Sequence, residues 1–158
     1  MNVSLDATDC PIHEQSPFDR KWYSHKINGP GLRYEIGLNI RQKEMVWTYG
    51  GRPYGECPDL VLAREVYTSM VDEGEKTIAD RGYRDDQFFI NPYNNPQSVV
   101  QQKQIMARHE TVNKRLKQFN VLDILFRHDV HLHPRCFHAV ANITQLMLAN
   151  GEPLFSVR

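Results

Sequence analysis

Apolar and polar residues alternate along two neighbouring segments of this 158-residue chain. The apolar members are Tyr34, Ile36, Leu38 and Ile40 in the first segment and Met45, Trp47 and Tyr49 in the second. A period of two places successive side chains on opposite faces, as in a β strand. Because only a short polar turn separates the two segments, the pattern predicts an antiparallel hairpin.

A short strand is predicted on each side of this hairpin. Apolar and polar residues alternate from Val3 to Asp6, which predicts a strand that ends at Asp6. Residues 76–80 predict a second strand, which ends at Asp80 and is closed by a turn. Both predicted strands therefore end on an aspartate.

Three segments carry apolar residues at helical spacing. The first is predicted to begin at Asp59, which suits a helix N-cap, and to end at Gly74 as the C-terminal cap. The second is predicted over residues 98–119, and the third from Pro134 to Gly151. The order strand, hairpin, helix, strand, long helix, helix predicts an α/β fold.

Composition predicts one domain over residues 1–158, large enough for a real core. Basic and acidic residues balance at 19 each, which argues mildly against a nucleic-acid-binding protein, although basic residues are concentrated between positions 108 and 127. The three cysteines share no short spacing, which fits a reducing compartment. No segment is apolar enough to span a membrane, so we expect a soluble intracellular protein.

Three carboxylates fall where they can be brought together. If the two short strands are neighbours, their ends bring Asp6 to Asp80, and the helix that crosses over adds Glu110. Clustered carboxylates repel one another and persist mainly when a cation neutralises them. Oxygen ligands select Mg²⁺ or Mn²⁺, and two such ions about 3.5–4 Å apart clamp a phosphodiester and activate the attacking oxygen. The alternative is that both aspartates are ordinary turn residues and that Glu110 forms a surface ion pair with Lys114.

Histidines around the start of the last predicted helix offer a different metal hypothesis, a zinc site. They are His128, His131, His133 and His138, with Cys136 among them. No second pair of ligands completes a four-ligand zinc pattern. The sequence therefore favours capping and hydrogen-bonding roles for these histidines over zinc.

Five short segments carry a resemblance to a known family. They are residues 5–12 (LDATDCPI), 23–26 (YSHK), 55–59 (GECPD), 79–83 (ADRGY) and 108–117 (RHETVNKRLK). In this order, and over nearly the whole chain, they resemble the catalytic domain of DDE-superfamily endonucleases, in particular the PIF/Harbinger-type transposases and the eukaryotic genes derived from them. The resemblance implies an RNase H-like fold, in which helices flank a mixed sheet.

The same resemblance implies roles for particular residues. Asp6, Asp80 and Glu110 would be the catalytic acids that bind two divalent ions, Mg²⁺ or Mn²⁺, and Asp59 would be a further metal ligand. Three basic residues would contact the phosphates of DNA, which positions DNA without reading its sequence. They are Arg108, Lys114 and Lys117. The implied activity is cleavage of phosphodiester bonds in DNA.

Members of this family usually carry a helix-turn-helix DNA-binding segment before the catalytic domain, and this sequence shows none. One hypothesis is therefore an endonuclease that acts on DNA in the nucleus or cytoplasm, alone or as an oligomer, with a separate protein supplying DNA binding. The other hypothesis is a domesticated or decayed transposase remnant that acts as a metal- or DNA-binding module without cleavage.

Overall fold

Within the residues that the structure describes (2–42, 44–151 and 153–156 of a computed structural model), six strands form one sheet. The strands are β1 (Val3–Pro11), β2 (Tyr23–Ser24), β3 (Gly29–Asn39), β4 (Met45–Pro53), β5 (Thr77–Ala79) and β6 (Phe89–Ile90). The helices are α1 (Asp59–Glu65), α2 (Val99–Leu116), α3 (Asn120–Asp123) and α4 (His133–Ala149). Short 3₁₀ turns lie at Arg20–Trp22, Tyr54–Glu56, Tyr67–Ser69, Pro96–Ser98 and Val130–Leu132.

Strand pairing gives an antiparallel meander that is extended by two parallel strands. β1 pairs antiparallel with β3 from Val3↔Asn39 to Pro11↔Gly31, and β3 pairs antiparallel with β4. β5 then pairs parallel with β1, and β6 pairs parallel with β5. The predicted α/β class and the predicted hairpin are both confirmed, because the sheet is mixed and open and helices flank it.

Both faces of the sheet are covered by helices. On one face, Tyr34 of β3 lies in a core with Val112 of α2 and Phe137 of α4. On the other face, Leu5 of β1 lies in a second core with Ala63 of α1. Because successive residues of a strand point to opposite faces, β1 and β3 contribute side chains to both cores. Throughout the described ranges, every helix is too short or too polar to cross a bilayer.

Two predicted boundaries differ from the structure. The helix predicted to reach Gly74 ends at Glu65, because Val66 takes φ −141° and leaves the helical region before a 3₁₀ turn. The strand predicted to end at Asp6 continues to Pro11, because its whole length pairs with β3. Asp6 therefore lies within a strand, where it pairs with Ile36 of β3.

The long helices follow the prediction more closely. α2 falls inside the predicted range 98–119, and α4 ends just before Gly151, whose φ of +127° favours glycine. β2, β6 and α3 were not predicted, because two to four residues carry too little periodicity to be detected.

Arg108 lies inside the structure and joins α2 to the turn after β3. The residue is only 1% exposed, and its guanidinium donates hydrogen bonds to the carbonyl oxygens of Asn39 (3.1 Å), Ile40 (2.8 Å) and Gln42 (3.0 Å). A side chain so buried presents no donor to a DNA phosphate. The structure therefore gives Arg108 a packing role in place of the predicted phosphate contact.

We expect Arg108→Ala to lower the free energy of unfolding by about 3 kcal/mol, because several charge-assisted hydrogen bonds are lost together. Denaturation in urea would measure the change. Lys114→Ala, on the exposed side of the same helix, serves as the control and should stay within about 0.5 kcal/mol of the wild type. Equal midpoints for Arg108→Ala and the wild type would refute the packing role.

Candidate functional site

Asp6 and Asp80 are brought together by the parallel pairing of β1 with β5. Leu5 is opposite Ala79 in this pair, so each aspartate is the next residue along its own strand. β5 ends at Ala79, and the chain then turns, with the Gly82 amide donating to Asp80 Oδ1 at 2.7 Å. The predicted meeting of the two aspartates is therefore present in the structure.

Asp59, the first residue of α1, joins these two aspartates. A methyl group placed on Gly82 would lie 2.7 Å from Asp59 Oδ2 and 3.0 Å from Asp80 Oδ1, so both carboxylates approach the same glycine. The predicted N-cap role of Asp59 is wrong, because Pro58 occupies the cap position and no side chain caps the helix. We call Asp6, Asp59 and Asp80 the carboxylate site.

Burial and mutual repulsion make the carboxylate site costly to ionise. Burial is the largest cause that raises the pKa of Asp6 to about 7, and the charge on Asp80 raises it further. Burial also raises the pKa of Asp59, against the opposing effect of Arg33. Lys26 lowers the pKa of both residues. A bound cation would offset this repulsion much more strongly.

Arg33 on β3 fixes the position of Asp59. Arg33 is buried, with 3% of its surface exposed. Its guanidinium donates a hydrogen bond from Nε to Asp9 Oδ1 at 2.9 Å and another from Nη1 to the carbonyl oxygen of Cys57 at 3.2 Å. Nη1 also lies 2.6 Å from Asp59 Oδ1. That contact is an ion pair without hydrogen-bond alignment, since Asp59 Oδ1 is buried and has no hydrogen-bond donor.

Sequence reasoning did not identify the network around Arg33. Ser24 Oγ donates to Asp9 Oδ2 at 3.1 Å, which adds β2 to the same network. A signal was available for part of it, because Asp9, Ser24 and Cys57 each belong to a segment that carries the family resemblance. Arg33 lies outside those segments, between apolar residues of an alternating strand.

Glu35 is a further buried carboxyl group that sequence reasoning did not identify. It is fully buried and accepts hydrogen bonds from Trp47 Nε1 at 2.9 Å and from the Tyr83 hydroxyl at 3.4 Å. Burial raises its pKa to about 8, although these two donors lower it. Glu35 is therefore shielded from solvent, and the charge of Asp59 acts on it electrostatically.

Glu110 is on α2, which packs against β1. The neighbouring residue His109 is buried, and its Nε2 lies 2.9 Å from Ser4 Oγ of β1. Glu110 itself is exposed, and in the described part of the chain no hydrogen bond or ion pair links it to Asp6. Lys114 is exposed and Lys117 half-buried farther along the same helix. The structure thus places Asp80 beside both Asp6 and Asp59 and leaves Glu110 at the surface.

The late histidines are engaged separately with hydroxyl groups. His133 is buried with Nδ1 2.6 Å from the Tyr34 hydroxyl, and burial lowers its pKa to about 4. His138 Nδ1 lies 3.3 Å from Thr48 Oγ1. These contacts match the predicted hydrogen-bonding role for His133 and His138, whereas the predicted capping is not seen, because no side chain caps α4. Across residues 2–42, 44–151 and 153–156, no three His, Cys, Asp or Glu side chains are arranged so that they could share one metal ion.

The chain was compared with protein-family models, with curated proteins and with solved structures. None of the three comparisons finds a match. The fold and site therefore define the class of protein by themselves, an α/β domain with a mixed sheet and three converging aspartates.

The raised pKa of Asp6 predicts a pH-dependent stability in the absence of divalent metal. The native state binds this proton more tightly than the unfolded chain does, so the stabilising contribution is complete below about pH 4 and is lost as the pH rises through about 7. We expect this Asp6 contribution, measured as the difference in the free energy of unfolding between the wild type and Asp6→Asn, to fall by a few kcal/mol over that window, at about 1.4 kcal/mol per unit of pKa difference. Buried His133, whose pKa is lowered to about 4, contributes a rise of stability with pH in the same window, so the difference between the two proteins is the quantity to measure.

Urea denaturation in EDTA at a series of pH values would measure this dependence. Asp6→Asn should lack the Asp6 contribution, while the contributions of Asp59, Glu35 and His133 remain. Asp72→Asn, which changes an exposed carboxylate, should keep the wild-type profile. An unchanged profile in Asp6→Asn would contradict the buried, repelled state of this carboxyl group.

Proposed function

We propose that this chain is the catalytic domain of a divalent-metal-dependent DNA endonuclease of the DDE superfamily, similar to the PIF/Harbinger-type transposases. The observation that carries the proposal is the convergence of Asp6, Asp59 and Asp80 from two strands and a helix. Each of these aspartates belongs to a segment that carries the family resemblance.

The strand arrangement supports an RNase H-like fold for this domain. An antiparallel meander is extended by two parallel strands, and helices flank the resulting sheet. The first acid lies on the first strand, and the second follows the parallel strand beside it. This agrees with the mixed, helix-flanked sheet that the resemblance implies.

The donor set of the carboxylate site suits a hard divalent cation. Mg²⁺ and Mn²⁺ prefer carboxylate oxygens, and Asp59 and Asp80 both bring a carboxylate oxygen to Gly82. Asp6, Asp59 and Asp80 would hold the metal once their side chains rearrange, since in the described residues no three carboxylates are placed to share one ion. Glu110, which is exposed on α2, would have to turn inward to complete the ligand set. A bound divalent ion supplies Lewis-acid polarisation of the phosphate and a more acidic attacking water or 3′-hydroxyl.

The chain's own residues have distinct roles in this proposal. Arg33 holds the Asp59 carboxylate toward the other two acids, and the Gly82 amide orients Asp80. Lys114 and Lys117 share the helix face of Glu110 and would contact the DNA backbone as positioning charges. The protein would act on DNA in the nucleus, with target recognition supplied by a partner protein or an oligomer.

We expect Mg²⁺- or Mn²⁺-dependent nicking of plasmid DNA, with Asp80→Asn reducing the rate at least about 100-fold, because metal ligands act on the transition state. A gel assay that follows loss of supercoiled DNA would measure the rate. The exposed variant Asp72→Asn is the matched control and should cleave like the wild type.

A cleavage rate that Asp80→Asn leaves unchanged would refute the proposed site. Wild-type protein that binds Mn²⁺ but never cleaves would favour the other hypothesis, a domesticated or decayed remnant that acts as a binding module. Calorimetric titration of the same preparation with Mn²⁺ separates these two outcomes.

A further inference from the structure

An open cleft of about 860 Å³ adjoins the carboxylate site. One wall is formed by residues 18–26, and the other by residues 54–59, which include the 3₁₀ turn Tyr54–Glu56. Asp59 and Gly82 also line the cleft. A molecule bound in the cleft would therefore reach the carboxylate site directly.

The two walls are held together at Gly55. A methyl group on this residue would lie 2.8 Å from the carbonyl oxygens of both Arg20 and Lys21, so only glycine permits this approach without displacement of the backbone. Arg33 stacks on the Tyr54 ring at 4.0 Å, which ties the second wall to the residue that holds Asp59. The cleft is thus a fixed feature of the site's surroundings.

The cleft presents two cations that form no ion pair within the described residues, although Lys26 interacts electrostatically with Asp6 and Asp59, and Glu56 also lines the cleft. Lys21 is paired with Asp19 at 3.3 Å. Arg20 and Lys26 are exposed, and neither side chain forms an ion pair with any residue that the structure describes. Exposed cations beside a cleft are suited to phosphate groups, which they contact with release of counterions.

Lys26 is close to the carboxylate site, and the cleft also carries aromatic surface. The Lys26 ammonium is near enough to influence both Asp6 and Asp59 electrostatically. Phe18, at the opposite end of the same wall segment, is 63% exposed. Exposed aromatic rings beside cations are typical of surfaces that bind nucleic-acid strands. The combination favours a polyanion with aromatic groups over a small anion.

We propose that this cleft binds the backbone of the DNA strand that enters the carboxylate site, with Arg20 and Lys26 as its phosphate contacts. The inference rests on the proposed nuclease function and adds a DNA-binding surface that is distinct from the predicted contacts on α2. Lys26, nearest to the aspartates, contacts the phosphates closest to the scissile bond. Arg20 contacts the strand farther out.

Fluorescence anisotropy of a labelled DNA oligonucleotide, in buffer containing Ca²⁺ and at several salt concentrations, tests the cleft. We expect Lys26→Gln and Arg20→Gln each to weaken binding about five- to tenfold at moderate salt, and each to reduce the salt slope by about one unit. Lys26→Arg keeps the charge and should keep most of the affinity. Lys103→Gln, an exposed lysine on α2 outside the cleft, should bind like the wild type.

The proposal would be overturned if the double variant Arg20→Gln/Lys26→Gln bound DNA with the same affinity and the same salt slope as the wild type. This holds for any affinity of the wild type. Equal losses in Lys103→Gln would overturn it as well, since the effect would then report overall charge alone. Mn²⁺ titration of the same proteins separates this inference from the proposed function. Lys26→Gln should retain Mn²⁺ binding, whereas a wild type without Mn²⁺ binding would refute the metal site and leave the cleft result standing.

Discussion

The arrangement of the site depends on the buried guanidinium of Arg33. Burying a cation is costly unless it is paired and hydrogen-bonded, and Asp9 provides that partner from the adjacent strand. The remaining guanidinium donors reach the Cys57 carbonyl and Asp59, and its face covers Tyr54. One residue therefore sets the position of α1 against the sheet and the position of the cleft wall beside it.

Near Asp59 the structure holds two further carboxyl groups whose charges are poorly compensated. Asp6 and Glu35 both have pKa values near or above neutral, and burial is the main cause for each. Groups with such displaced pKa values concentrate at functional sites, where a bound ligand or ion can supply the positive charge that stabilises the ionised carboxylate. A bound cation would offset the repulsion within the carboxylate site, and this is the physical reason to propose it as a binding site.

The sequence predicted those features that depend on local periodicity. The alternation that begins at Tyr34 gave the hairpin, and helical spacing gave α2 and α4. The meeting of Asp6 and Asp80 followed from treating their strands as neighbours, which the parallel pairing confirms. The end of α1 was missed, because the backbone at Val66 leaves the helical region within an otherwise helical spacing of apolar residues.

The network beneath the site could not be predicted from local patterns. Alternation places Arg33 and Glu35 on the polar face of their strand, yet both are buried because α1 covers that face. Their partners come from β1, β4 and the loops before α1 and after β5, at sequence separations that no periodicity reports. The placement of Glu110 likewise depends on how α2 rotates over the sheet, which is set by the buried contacts of Arg108 and His109.

The central claim is that the three aspartates form a site for a divalent cation, which would balance the negative charge of their carboxylates. Calorimetric titration with Mn²⁺ at about pH 6.5, in two buffers of different ionisation enthalpy, counts the protons released on binding. The account predicts saturable binding with release of a proton, and a smaller release in Asp6→Asn, since the Asp6 proton is then absent. Folded wild-type protein that binds no Mn²⁺, or that releases the same number of protons as Asp6→Asn, would contradict it.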